Sequence, residues 1–173
     1  MPRRPSAALM LAALVALLVL VAPAGPASAG EASFSDARGD APSPHDITDV
    51  QIRNDRERVS VRLQFVDLRH GEQIVRSFLD SVRADLHWIA TTVIHRDGRV
   101  TAALETFTGS EFERVDCRIV GSWQFVRDTV RISFPQSCLD IHRALRVRVL
   151  AGAGDGTTGD PADWTRTVRV PYA

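Results

Sequence analysis

Lysine is absent: arginine supplies every one of the 21 basic residues, against 21 acidic ones. All-arginine usage reads as the coding bias of a GC-rich bacterium, not as a binding signature. The balanced charge leaves no basic excess to hold nucleic acid or an anionic membrane. Motifs that carry chemistry are scarce as well. The chain has no G-x-S-x-G elbow, no phosphate loop, no dinucleotide fingerprint, no H-E-x-x-H and no H-x-H. An internal repeat and a low-complexity tract are also missing, which excludes solenoid architectures. Both methionines, Met1 and Met10, fall in the first ten residues, and there are only two cysteines.

The first thirty residues differ in character from the rest. Arg3 and Arg4 precede an unbroken apolar run from Ala7 to Val21, and Pro23, Gly25 and Pro26 then break any helix. Ala27-Ser28-Ala29 places small residues at the cleavage positions. A charged start, a short apolar stretch and an A-x-A site describe a signal peptide over residues 1–29. A membrane anchor would need a longer apolar run and a stop-transfer flank. The expected mature chain starts near Gly30 and is secreted, extracellular or in the cell envelope, with no membrane association after cleavage. Its remaining length suits one domain. In that compartment Cys117 and Cys138 are expected to form a disulfide, because two cysteines cannot fill a zinc site and no histidine lies at ligand spacing beside them.

Past the leader, Gly30 to Pro44 is rich in Gly, Ala, Ser, Pro and Asp, and residues 30–46 read as an irregular N-terminal segment. From Ile47 to the C-terminus the pattern has period two. Val59, Val61, Leu63 and Phe65 alternate with polar residues, and Arg53 to Arg58 form a polar turn after Val50 and Ile52. Leu86 to Ile94 reads as a strand. It is followed by Asp97-Gly98, a dipeptide favoured in type I′ hairpins, and by a return strand through Val100, Ala102 and Leu104. Ile119 to Val126 and Val130 to Phe134 flank another turn, and Leu145 to Val149 alternates again. Gly71 to Asp85 fits helical and strand spacing about equally and is taken as strand; Leu139 to Ala144 is taken as one helical turn. Trp164 to Val170 reads as a last, continuous strand. Residues 47–173 are therefore expected to form an all-β domain. Its expected form is an antiparallel β-sandwich, immunoglobulin-like or jelly-roll-like, with at most one short helical turn.

Three groups of side chains offer function. His45, His70, His87, His95 and His142 are scattered; His87 and His95, eight residues apart, would sit about 26 Å apart on one strand. They read as surface residues, and no catalytic residue is assigned. Acidic loops near the two ends carry Asp36, Asp40 and Asp46, and Asp160 and Asp163. If the first and last strands are neighbours, these five carboxylates make a candidate calcium site, because calcium takes 6–8 hard oxygen ligands. The competing reading is that they are ordinary turn residues. Among the aromatic residues, Trp88 and Trp123 lie inside alternating strands and suit the core, whereas Trp164 stands at a loop-to-strand junction and is the candidate ligand-binding residue.

Short motifs carry a likeness: Asp36-x-x-Gly39-Asp40 with Asp46-Ile47, the strand Val59 to Leu68 ending in Asp67-Leu68, and Phe134-Pro135-x-x-Cys138-Leu139. In these the chain resembles uncharacterised secreted actinobacterial proteins and, more distantly, DOMON-type and family 9 carbohydrate-binding sandwiches. That resemblance implies a sandwich of a kind that in some members binds sugar, haem or calcium. The haem option departs from this chain, since no methionine follows the leader to pair with a histidine. The leading reading is a secreted, non-enzymatic binding or surface-associated domain that recognises carbohydrate or another cell-envelope component, with calcium as the one candidate cofactor. A secreted hydrolase without a recognisable motif and a structural protein-interaction module stand as alternatives, and nucleic acid is not an expected partner.

Overall fold

The structure is a computed structural model that describes residues 30–108, 111–154 and 162–173. The expected leader and Asp160 lie outside the described residues. Among those described, no helix is long and apolar enough to cross a membrane. The strands are β1 (Glu31–Ser35), β2 (Ile47–Asn54), β3 (Arg58–Phe65), β4 (Gln73–Ser81), β5 (His87–Ile94) and β6 (Val100–Thr108). They continue with β7 (Glu111–Arg114), β8 (Val120–Gln124), β9 (Thr129–Pro135), β10 (Leu145–Ala153), β11 (Ala162–Trp164) and β12 (Val168–Val170).

Two antiparallel sheets pack face to face, as the period-two pattern requires. One runs β1-β2-β3-β9-β8; the other runs β11-β10-β4-β5-β6-β7, with β12 also paired to β10. Register builds the core in rows. Val50, Leu63 and Val130 align across three strands of the first sheet, as do Ile52, Val61 and Ile132. All six are buried and face Val75, Leu79, Trp88, Ala90, Leu104, Val147 and Val149 of the second sheet. Each large apolar side chain so buried contributes about 1.5–3 kcal/mol. Gly71 to Asp85 resolves as the strand β4, its inward residues alternating with Arg76, Phe78 and Asp80.

Four local readings are corrected. Residues 31–35, within the segment read as irregular, form β1, because Glu31 to Ser35 pair in register with Arg53 to Asp49 of β2 and bury Phe34. The Asp97-Gly98 hairpin is not type I′. Only Gly98 has positive φ, and its N–H donates to the His95 carbonyl, while Arg99 pairs back to His95. That is a tight turn with one left-handed glycine, the three-residue loop of a G1 bulge. The last strand is broken: β11 and β12 both pair with β10, and Thr165 between them receives the Val149 N–H on its hydroxyl in place of a ladder carbonyl. The helical turn expected at 139–144 lies earlier, as a 3-10 turn over Gln136–Leu139, and a second covers Phe125–Arg127.

Cys117 and Cys138 are bonded, with Cα atoms 6.0 Å apart. The bridge fastens the loop before β8 to the turn after β9. At one edge of the sandwich β1 lies against β12. Here Asn54, fully buried, donates to the carbonyls of Arg143 and Pro171 and so ties the two sheets.

Candidate functional site: an acidic pocket and an aromatic face

β11 serves both candidate sites. Strand alternation sends Asp163, aligned with the buried Ala151, into the space between the sheets, and turns Trp164 to the outer face. Asp163 reaches across to the first sheet, where one of its carboxylate oxygens accepts the Ile47 N–H at 2.7 Å. Asp46, immediately before β2, accepts the Gly39 N–H at 2.8 Å. The loop held by that bond carries Asp40. Carboxylate oxygens of Asp40, Asp46 and Asp163 lie within 4.8 Å of one another, with Asp46 and Asp163 buried and Asp40 open to solvent. The structure thus brings together aspartates more than a hundred residues apart.

Among the described residues the pocket is short of hydrogen-bond donors. Oδ1 of Asp46 is buried without a hydrogen-bond partner, and so is Oδ2 of Asp36 at its rim. Arg38 and Arg166, the two nearby arginines, form no ion pair with Asp40, Asp46 or Asp163, and Arg166 lies over the Phe34 ring at 4.9 Å. Burial pushes the Asp163 carboxyl up to about 6, against the hydrogen bond from Ile47 and with added repulsion from Asp40, Asp36 and Asp46. Asp36 is raised too, first by burial and further by Asp40 and Asp46, with the Ala37 N–H and the positive charge of Arg166 pulling the other way.

Trp164 is 48 % exposed on the outer face of the second sheet. Its ring stacks on Phe78 of β4 at 5.4 Å between centroids, and the Arg148 guanidinium lies 4.3 Å over the indole. Phe78 and Arg148 carry no signal of their own in the sequence. Each occupies an outward position of its strand, and only the β4–β10 register, which sets Phe78 opposite Arg148, assembles them beside Trp164. Trp88 is core, and Trp123 packs between the sheets with its indole N–H donating to Thr92 Oγ1 at 3.1 Å, as the strand pattern implied.

The histidines are spread over the surface, apart from His45, which is buried. His87 sits between two carboxylates, with Nδ1 2.7 Å from Asp80 and Nε2 2.9 Å from Asp85. The bond to Asp80 is the main reason that its proton is held above the ordinary histidine range. His70 stacks on Phe125, and His142 meets the Tyr172 hydroxyl. Neither a scan against protein-family models nor a comparison with curated proteins returns a match for this chain.

Proposed function

We propose that the chain is a secreted, non-enzymatic binding domain that recognises carbohydrate or another cell-envelope component. The observation that carries this reading is the exposed Trp164–Phe78 stack with Arg148 over it. An indole left half exposed beside a second ring and a guanidinium offers apolar surface suited to the C–H face of a sugar ring. The rigid strands beneath it hold the platform in place without ligand. The hydrolase alternative is weakened at its best histidine: with both ring nitrogens of His87 on carboxylates, neither is left to take a proton from a nucleophile. The disulfide fits an oxidising compartment.

Calcium belongs to the same proposal. A buried carboxylate oxygen without a donor, as at Asp46, is costly to keep, and the carboxyls of Asp40 and Asp163 crowd it. A hard divalent ion with flexible coordination answers this, held by Asp40, Asp46 and Asp163, whereas Asp36, named with them from the sequence, lies outside the converging group.

The test of the carbohydrate reading is a glycan array, followed by titration calorimetry on the best hits. Trp164→Ala should melt within a few degrees of the parent, because the ring is exposed, yet lose binding at least tenfold. Loss of a good stacking contact is worth about 0.5–1.5 kcal/mol beyond its buried area. Undiminished binding by a folded Trp164→Ala protein would remove this face from consideration.

A further inference from the structure

The outer face of the second sheet holds more than the platform. Arg146 lies two residues before Arg148 on the same side of β10, and Arg169 of β12 stands directly opposite Arg146. Like charges facing one another across a ladder destabilise it unless something lies between them. On its other side Arg146 is aligned with Asp80, but that carboxylate is engaged by His87 at 2.7 Å. At the end of β10 the face opens into a cleft of about 520 Å³ whose lining includes Arg83, Arg143, Arg169, His142 and Tyr172, and no carboxylate. Among the described residues, Arg83, Arg143, Arg146 and Arg169 form no ion pair. A chain whose total charge is zero has gathered into one track, continuous with Arg148 and Trp164, four guanidinium groups that have no ion-pair partner among the described residues.

We infer that the ligand of this face is an anionic polysaccharide, its sugar rings on Trp164 and its acid groups on the arginines from Arg148 through Arg146 and Arg169 into the cleft. This rests on the carbohydrate reading above and adds the charge of the ligand. Guanidinium forks pair with carboxylate or phosphate through two parallel N–H donors, a geometry that discriminates against neutral polymers. From the Trp164 row to Arg146 the track runs four strand residues, roughly 13 Å at about 3.3 Å each, enough for more than one ring. A polysaccharide is favoured over nucleic acid because the molecule as a whole has no basic field to draw in a dense polyphosphate.

The experiment titrates the protein, in buffer without added divalent ions, with polygalacturonate, phosphorylated mannan, unmodified mannan and a single-stranded oligonucleotide, at low and high salt. Binding should favour one or both acidic polysaccharides at least tenfold over unmodified mannan and weaken at high salt. Which acidic polymer binds tells carboxylate from phosphate. Arg146→Gln/Arg169→Gln should lose about tenfold on the acidic polymer and nothing on the neutral one. Arg83→Gln/Arg143→Gln, on loops at the cleft, guards against a folding defect in the first pair. Equal binding of neutral and acidic polymers, unchanged in both arginine pairs, overturns the inference and leaves the carbohydrate reading standing. Preference for the oligonucleotide also overturns it. Binding to no polysaccharide of either charge removes both.

Discussion

Asp163 and Trp164 are adjacent residues with opposite environments, and the pleat that separates them links the two candidate sites. Asp163 also gives the acidic pocket a pH signature. Its carboxyl has an ordinary value of 3.8 and is raised to about 6 in the fold. A raised carboxyl favours the folded state while protonated. Its contribution is complete below about pH 4 and lost as pH climbs through 6. Metal-free protein should therefore lose melting temperature over that interval on account of this residue. Calcium competes with the proton, so millimolar calcium should raise the melting temperature strongly at pH 7.5 and little at pH 5. Magnesium should do less, given its stricter octahedral geometry. Asp163→Asn keeps an acceptor for the Ile47 N–H and should flatten both effects. Identical melting curves in calcium and in chelator at pH 7.5 would show that the pocket holds no such ion.

At the scale of elements, the sequence was most legible where one face of a strand is buried. The alternation through Val59, Val61, Leu63 and Phe65 marks β3 without help, and the same holds for β10. β1 was hidden by its composition: the Gly/Ser/Asp/Pro-rich segment around it supplies turns, and only pairing with β2 makes Glu31–Ser35 a strand. The sequence pattern does not separate β11 from β12, because Thr165 keeps the period while interrupting the ladder. The acidic pocket was half legible. The aspartates and the joined ends could be anticipated, but which carboxylates converge depends on register. The arginine track was illegible, because it needs the lateral order β12-β10-β4. Close approach of the sheets is equally invisible in composition, and Gly121 of β8 shows it. A Cβ there would stand 2.0 Å from Thr92 Oγ1, the atom that accepts the Trp123 indole N–H and donates to the Thr101 carbonyl at 3.1 Å. Gly121→Ala should destabilise by about 1–3 kcal/mol, the usual penalty of overpacking. Urea unfolding followed by far-UV circular dichroism measures it. Combining it with Thr92→Ala should cost less than the sum of the two single changes, since both act on one contact.

For the molecule as a whole, stability is distributed between a continuous two-sheet core and one covalent tie. β8 is the edge of its sheet and pairs in register only with β9. Its inner face offers Gly121 and a half-buried Trp123 where other strands offer Val, Leu or Ile. β8 is accordingly an edge strand with little apolar side chain of its own to hold it, and the Cys117–Cys138 bridge encloses that hairpin from the loop before β8 to the turn after β9. A closed loop of 21 residues corresponds to roughly 3 kcal/mol in the chain-entropy account. Cys117→Ser/Cys138→Ser should therefore lower unfolding free energy by about 2–5 kcal/mol, as for native bridges in small domains. Loss should also be local before it is global. Amide exchange should accelerate first in Val120–Gln124, while the rows through Val61 and Ile132 keep the protection of the intact core. Uniform acceleration across both sheets would mean that the bridge supports the whole sandwich, and an unchanged melting curve would mean that β8 is held by packing alone.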